Sequence, residues 1–214
     1  RSVRGTYING FFDSSDIHYE EKLHGFASIQ QSIVNVIDTQ GISLDLDGEA
    51  FSLSAGKVRD FRQVLDIETG VYTRSLIWTS PRGKRTEILF RRLASFILPS
   101  LALIHAELKP LDWSGAVRLT SSQRGDVLQD SDPHDPRKAS VGRKMLRVTS
   151  ALEQDGAMLM TAETLHSRLT MASAVSHRWQ GGFTIGHRVG EMISEAMLVG
   201  RVKAGEAVSL TKYC

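Results

Sequence analysis

Residues 44–96 limit the folds open to this chain more than any other segment, because short alternating strand patterns fill them and turn sequences separate the patterns. Residues 70–79 alternate between two faces, one of which carries Tyr72, Arg74, Leu76 and Trp78. The turn at residues 80–83 combines a proline, which fixes φ at a turn corner, with a glycine, which accepts positive φ. The segment therefore predicts an antiparallel hairpin whose second strand lies at residues 85–90.

Strand patterns continue along the rest of the chain. Alanine, leucine and methionine in residues 158–173 would also suit a helix, but the β-branched threonines there favour a strand. Many short strands separated by turns, without an internal repeat, predict an all-β fold, a large two-sheet antiparallel sandwich that forms a single domain over residues 1–214. Further strands are predicted at residues 50–53, 101–108, 116–121 and 146–149, and a hairpin at residues 198–210 turns at residues 203–206.

Two glycine-containing segments have both a structural and a functional interpretation. Residues 45–49 carry spaced carboxylates, as calcium loops do, but they lack the further ligands and the closing glutamate of an EF-hand loop. An Asp-Gly hairpin turn is the preferred interpretation. Residues 181–186 are rich in glycine without the dinucleotide-binding spacing, so they predict a bulge or a close approach of the backbone.

Composition excludes several classes of partner. The 26 basic and 24 acidic side chains nearly balance, so we expect no nucleic-acid partner. An acidic segment at residues 126–135 precedes a basic one at residues 137–147, and together they predict a self-compensating charged loop. No apolar run reaches the length of about 18 residues that a membrane helix needs, so we expect no membrane partner. The single cysteine, Cys214, excludes an internal disulfide and favours a reducing, cytoplasmic compartment.

Few residues qualify as catalytic candidates. The sequence has no phosphate-binding loop, nucleophile elbow or zinc-protease histidine pair. His105 and His177 could act as acid and base on a sugar ring, because a pKa near neutrality suits proton transfer, although a structural role is preferred for each. Asp66 and Glu68 could form a carboxylate pair for glycoside chemistry, but Asp66 also opens a turn that ends at Gly70. We therefore assign no catalytic, cofactor-binding or metal-binding residue to the chain.

Short motifs in a particular order resemble one family of carbohydrate enzymes over residues 1–120. The motifs are Arg4-Gly5-Thr6-Tyr7 with Gly10-Phe11-Phe12-Asp13, Leu46-Asp47-Gly48-Glu49, Leu65-Asp66-Ile67 with Gly70-Val71-Tyr72-Thr73-Arg74, Trp78 with Pro81-Arg82-Gly83, Arg92-Leu93-Ala94-Ser95, and Pro110-Leu111-Asp112-Trp113-Ser114-Gly115. In these motifs the chain is similar to the N-terminal domain of glycoside hydrolase family 65, which includes the maltose, trehalose, kojibiose and nigerose phosphorylases and related trehalases. The Asn-Gly segment that precedes Arg-Gly in the family has no counterpart here.

The resemblance implies a galactose-mutarotase-like sandwich that is followed, in intact family members, by an (α/α)6 barrel. In the family the barrel carries the general-acid glutamate and the phosphate-binding residues, and phosphate or water attacks an α-glucosyl disaccharide with inversion. The barrel glutamate maps to no residue of this chain, so no catalytic residue is carried over. The implied role is a non-catalytic domain that supports the barrel and helps to form a homodimer, while disaccharide and phosphate bind at the barrel.

Two further hypotheses remain open. A stand-alone sugar epimerase of the mutarotase type would use His105 or His177 as the acid and a glutamate as the base. A carbohydrate-binding module would stack an exposed Trp113 or Trp179 on a sugar face. A large exposed apolar patch would favour the accessory domain over both, because such a patch marks a missing partner surface.

Overall fold

The computed structural model describes residues 5–17, 19, 23–129 and 144–214. The regular secondary structure assigned within these residues consists of β-strands. No helix suited by length and hydropathy to cross a membrane occurs in this described part of the chain. In chain order the strands are β1 (Phe12–Asp16), β2 (Ile29–Ile33), β3 (Asp38–Leu46), β4 (Glu49–Ala50), β5 (Lys57–Leu65), β6 (Tyr72–Thr79), β7 (Arg85–Ala94), β8 (Ala102–Pro110), β9 (Gly115–Arg124), β10 (Leu146–Gln154), β11 (Ala157–Thr164), β12 (Thr170–Gln180), β13 (Phe183–Val189), β14 (Ile193–Val202) and β15 (Val208–Tyr213).

Two antiparallel sheets form the sandwich. The large sheet has eight strands in the order β10-β11-β12-β15-β8-β7-β6-β5, and the small sheet has five in the order β13-β14-β9-β3-β4. A separate two-stranded sheet pairs β1 with β2. This architecture confirms the predicted all-β, two-sheet antiparallel fold.

Apolar side chains of both sheets meet in the main core. Trp78 and Ile88 of the large sheet are fully buried, and they share one cluster with Leu119 and Leu198 of the small sheet. The predicted alternation along β6 places Trp78 on the inner face, because side chains two apart on a strand point the same way. The period-2 pattern of the sequence is thus the pattern of burial.

The hairpin predicted around residues 80–83 joins β6 to β7. Trp78 pairs with Thr86 in the antiparallel register, and the Gly83 amide donates to the Ser80 carbonyl at 2.9 Å. Gly83 has a φ of 87°, which a side chain would strain. The structure confirms this hairpin.

The predicted strand at residues 50–53 is wrong beyond its first residue. β4 ends at Ala50. The Phe51 amide still donates to the Leu44 carbonyl of β3 at 2.9 Å, and the Phe51 ring meets the Trp78 ring edge-on, with ring centroids 5.5 Å apart. Edge-on packing of two aromatic rings is favourable and removes both from water. The alternation of apolar and polar residues at 50–53 is therefore explained by the contact of Phe51 with Trp78, not by a continuing strand.

The predicted hairpin at residues 198–210 is also wrong. β14 belongs to the small sheet and β15 to the large sheet, so the turn at residues 203–206 carries the chain from one sheet to the other. The Gly205 amide donates to the Pro110 carbonyl at 2.7 Å and fixes this crossing. Each strand buries one face whether it pairs with its neighbour in sequence or faces it across the core, so alternation alone cannot distinguish the two arrangements.

Two other predictions can be compared with the structure, and a third lies mostly outside the described residues. Residues 158–173 are extended as predicted, although a turn at residues 165–169 divides them between β11 and β12. Gly181 provides the predicted close approach, since its φ is 120° and a Cβ there would lie 2.7 Å from Val208. It lies in the turn between β12 and β13, not in a bulge. Most of the predicted charged loop falls on residues 130–143, outside the described residues.

A buried carboxylate attaches the N-terminal strands to the large sheet. Asp13 on β1 is fully buried, and its carboxylate accepts hydrogen bonds from the Ser167 amide at 2.7 Å and the His166 amide at 3.0 Å. Burial alone would raise the pKa of Asp13, but these bonds and that from the His166 ring, 3.1 Å away, outweigh burial and lower it. The ionised carboxylate is therefore the form that the fold stabilises.

Replacing Asp13 with asparagine should destabilise the chain by about 1–3 kcal/mol, because the side chain loses its charge, and because Oδ1 keeps the two short backbone bonds while the acceptor Oδ2, which faces His166, becomes an amide donor. Urea unfolding at pH 7 measures the loss. In the parent chain the same contribution should disappear as the pH falls below about 4, since the folded pKa of Asp13 lies below its unfolded value. Asp16→Asn, on the same strand but exposed, is the control, and an equal loss in both variants would contradict the assignment.

Candidate functional site

Residues 45–49 form the predicted hairpin turn, and Asp47 in it is a structural group. Asp47 and Gly48 have φ of 55° and 81°, as a type I′ turn requires. The Asp47 carboxylate accepts from Lys84 Nζ and from the Ala116 amide at 3.2 Å, and these bonds lower its pKa. No group of three or more His, Cys, Asp or Glu side chains in the described residues could hold a metal ion.

Glu49 completes a connection between the two sheets. Its Oε2 accepts from the Ser80 hydroxyl at 2.7 Å, and its Oε1 accepts from the Arg82 amide at 3.0 Å. The β3–β4 turn of the small sheet is thereby bound to the β6–β7 turn of the large sheet. Two of the family motifs thus contact each other, and their polar residues hold the sandwich together at one end.

The Asp112-Trp113 motif lies at the same end, in the connection from β8 of the large sheet to β9 of the small sheet, and the expected exposure of Trp113 is wrong. Trp113 is only 7% exposed, and its indole Nε1 donates to the Thr86 hydroxyl at 3.0 Å. Asp112 accepts from Arg85 Nε at 2.7 Å beside it. A buried indole cannot stack on a sugar, whereas Trp179 is 40% exposed at the end of β12.

Asp66 and Glu68 occupy the turn between β5 and β6. Asp66 Oδ1 accepts from the Glu68 amide at 3.0 Å and from the Thr69 amide at 3.4 Å, as an Asx turn requires. The Asp66 carboxylate is thus engaged with its own turn. This placement agrees with the structural interpretation preferred from the sequence.

His105 and His177 lie on opposite faces of the large sheet. On β15, Thr211 pairs with His105 and the next residue, Lys212, pairs with His177, so the two imidazoles point to opposite sides. His105 Nδ1 lies 2.9 Å from the Thr211 hydroxyl, and its Nε2 lies 3.8 Å from Glu107. The two histidines therefore cannot act together on one sugar ring.

His177 faces a polar layer inside the sandwich. Its Nε2 lies 2.8 Å from the Ser121 hydroxyl, and desolvation, together with the nearby Lys212, lowers its pKa to about 4. Lys212 is fully buried and donates from Nζ to the Ser122 carbonyl at 2.7 Å. Within the described residues, the buried atoms in this layer without a hydrogen-bond partner are His177 Nδ1, His187 Nε2, Ser194 Oγ and both amide atoms of Gln123.

The end of the large sheet opposite the β6–β7 turn exposes apolar side chains, and the Leu65-Asp66-Ile67 motif lies at this end. The β7–β8 turn carries Phe96 and Ile97, both 91% exposed, and the β5–β6 turn carries Ile67, 90% exposed. The Phe96 ring lies 3.6 Å from the position of a Cβ on Gly70, so the two turns touch. We call the exposed side chains of these turns the tip surface; its members are Leu65, Ile67, Phe96, Ile97 and Leu98.

A groove of about 370 Å³ adjoins the tip surface. Gly70 and Leu93, which both line it, also lie beside Phe96, and its floor includes Ile104. Cys214 lines the groove as well, and burial raises the pKa of its thiol, so the thiol is a poor nucleophile at neutral pH. Apolar lining and exposed apolar neighbours suit this region to contact with protein side chains.

A second groove, of about 450 Å³, lies beside strand β3 and is more polar. Arg74 and Arg92 line it together with Phe90. Arg92 donates to Gln40 at 3.3 Å and stacks over the Tyr72 ring at 5.8 Å. These contacts orient the Arg92 guanidinium along the wall of the groove.

The tip surface is the part of the site that sequence reasoning missed. Residues 96–99 read Phe-Ile-Leu-Pro, and the strand patterns and motifs of the sequence predict no role for them. The available signal was their position, because three consecutive large apolar residues follow a complete strand and end at a proline. An apolar turn at that point predicts a surface that another chain segment covers.

These features define a β-sandwich domain whose motif residues hold two sheets together and whose opposite end presents an apolar surface. The chain belongs to glycosyl hydrolase family 65, because the profile of that family's N-terminal domain matches residues 1–214. This match confirms the resemblance inferred from the motifs.

Relatives with assigned activities belong to the same family. The chain is 37% identical over 173 residues to the α,α-trehalose phosphorylase of Geobacillus stearothermophilus, covering 80% of this chain and 23% of that enzyme. It is 29% identical over 150 residues to the kojibiose phosphorylase of Halothermothrix orenii, covering 68% of this chain and 18% of that enzyme. The chain thus spans less than a quarter of these two relatives.

A solved structure shares the fold. A putative kojibiose phosphorylase from the human microbiome superposes with a TM-score of 0.85 at 16% identity, over the whole of this chain and 26% of the other. The three proteins are larger than this chain, which implies a further domain beyond the sandwich.

Proposed function

We propose that this chain is the non-catalytic N-terminal sandwich of a disaccharide phosphorylase or hydrolase. In this proposal an (α/α)6 barrel in the same polypeptide cleaves an α-glucosyl disaccharide with inversion, using phosphate or water. The sandwich supports the barrel and contributes to a cytoplasmic homodimer. The observation that carries the proposal is that the profile of the family's N-terminal domain matches residues 1–214, and that the chain spans less than a quarter of its phosphorylase relatives.

The roles of the motif residues support a structural function. The carboxylates of Asp47 and Glu49 bind groups of both sheets, and the Asp112 carboxylate holds the β8–β9 connection to Arg85 on β7. Asp66 is engaged with its own turn. Inverting glycoside hydrolysis needs an acid and a base on opposite sides of a bound sugar, about 6.5–9.5 Å apart, and phosphorolysis needs at least the acid. The motif carboxylates have structural partners instead.

Turnover measurements test the proposal. The full-length protein and residues 1–214 alone are each incubated with trehalose, maltose, kojibiose and nigerose, with and without phosphate. We expect the full-length protein to release glucose 1-phosphate, or glucose alone if it is a hydrolase, from at least one of these sugars. We expect residues 1–214 to release neither.

Two outcomes would contradict the proposal. Phosphate-dependent release by residues 1–214 would place the chemistry inside the sandwich. Mutarotation of a single sugar by residues 1–214 would favour the epimerase, and loss of that activity in His105→Asn would identify its acid. Binding of a sugar by residues 1–214 without turnover would add a carbohydrate-binding role, for which the half-exposed Trp179 is the aromatic candidate.

A further inference from the structure

We propose that the tip surface and the groove beside it are the docking site for the polypeptide that follows residue 214 in the full-length protein. The inference rests on the proposed function in one respect only, the existence of a further domain in the same chain. It adds the surface that this domain covers and the side chains that hold it. The partner is an apolar surface of the same polypeptide.

Exposure is the first argument. Phe96, Ile97 and Ile67 are each at least 90% exposed, although they belong to turns that are otherwise ordered by hydrogen bonds. The Ser95 amide donates to the Leu101 carbonyl at 2.9 Å and closes the β7–β8 turn. Domains rarely leave several large apolar side chains together in water unless another surface covers them.

The position of residue 214 is the second argument. β15 runs beside β8, and Cys214 exchanges two backbone hydrogen bonds with Ala102, at 2.8 and 2.9 Å. Ala102 follows the β7–β8 turn directly, and Cys214 itself lines the groove. Polypeptide that continues beyond residue 214 therefore starts in the groove, one strand away from the turn that carries Phe96.

The amount of further chain is the third argument. The trehalose and kojibiose phosphorylases that resemble this chain have more than three quarters of their length outside the matched region. The matching family profile describes an N-terminal domain, so that length follows the sandwich. A short path and a large following domain make intramolecular contact with the tip surface more favourable than capture of a separate molecule.

Hydroxyl-radical footprinting of the full-length protein tests the proposal without a substitution. Phe96 is 91% exposed on the sandwich and Phe26 is 50% exposed near the β1–β2 sheet, so Phe96 should oxidise faster if nothing covers the tip surface. We expect the reverse order, with Phe96 oxidised several-fold more slowly than Phe26. Oxidation of Phe96 at or above the rate of Phe26 would overturn the proposal.

A double substitution tests the energetic role of the tip surface. In the variant with Phe96→Ser and Ile97→Ser, the fraction of molecules in which the following domain has separated from the tip surface should rise about 10- to 100-fold for each side chain lost. Each substitution removes a large apolar group that the contact buries. The readout is the rate of limited proteolysis just beyond residue 214. The matched control is Ile29→Ser with Ile33→Ser, which removes two exposed isoleucines from β2. Equal proteolysis of the two double variants would overturn the proposal.

Two further comparisons distinguish coverage by the following domain from coverage by a second copy, and failure of this inference from failure of the proposed function. If protection of Phe96 is lost when a dimer is diluted to monomer, a second copy covers the tip surface and the proposal is wrong. Protection that persists in the monomer supports it. Absence of turnover with Phe96 protected would overturn the proposed function alone, and turnover with Phe96 freely oxidised would overturn this inference alone.

Discussion

Replacement of Trp78 with alanine should destabilise the chain by about 3–5 kcal/mol, which is the usual cost of removing a large aromatic side chain from a core. Trp78 is fully buried, and it meets Phe51 edge-on. Alanine would leave a cavity between the two sheets, which the rigid strands can fill only partly. Chemical unfolding monitored by circular dichroism measures the loss. Circular dichroism is preferred to fluorescence because the substitution removes one of the three tryptophans of the chain and so changes the fluorescence signal itself.

The indole nitrogen adds a smaller contribution. Trp78 Nε1 donates to the Ala55 carbonyl at 2.7 Å and holds the β4–β5 connection against the core. Trp78→Phe keeps most of the apolar volume and loses this bond, so we expect a cost of about 1–2 kcal/mol. Trp179→Ala, at a 40% exposed position, should cost about 1 kcal/mol. Similar losses in Trp78→Ala and Trp179→Ala would contradict the core assigned here.

Replacement of His177 with asparagine should remove a loss of stability that the parent chain shows between pH 6.5 and about 4. The folded state lowers the pKa of His177 to about 4, because burial and Lys212 oppose its charge, whereas the unfolded state keeps the ordinary value of 6.5. Between these values the unfolded chain binds more protons, so stability falls as the pH falls. The full effect amounts to about 3 kcal/mol at pH 4.

Urea unfolding at pH 7, 6, 5 and 4 measures this dependence. Above pH 6.5 His177 is neutral in both states, so the variant should differ from the parent there only by the cost of its changed contacts with Ser121. His105→Asn is the matched control for the loss of an imidazole from the same sheet, since His105 lies on its outer face. A parent-like slope in His177→Asn would show that another group causes the acid loss.

Much of the strand structure could be predicted because it depends on the residues of one strand or one turn. The inner face of β6, the turn at residues 80–83 and the Asp47-Gly48 turn depend on alternation and on φ preferences of single residues. The motifs also identified the family, since their order and spacing survive in the sequence. Their function as contacts between sheets was not predictable, because Glu49 and Ser80 are far apart in sequence and meet only in the fold.

What the sequence determined by itself is many of the strands, the turns at residues 45–49 and 80–83, the side chains that share each face of those strands, and the family. The tertiary structure decided which strands pair, and so placed β14 and β15 in different sheets and His105 and His177 on opposite faces. It also decided that Trp113 is buried and Phe96 exposed. The physical reason is that alternation is set within one strand, whereas pairing and burial depend on distant segments that meet only when the chain folds.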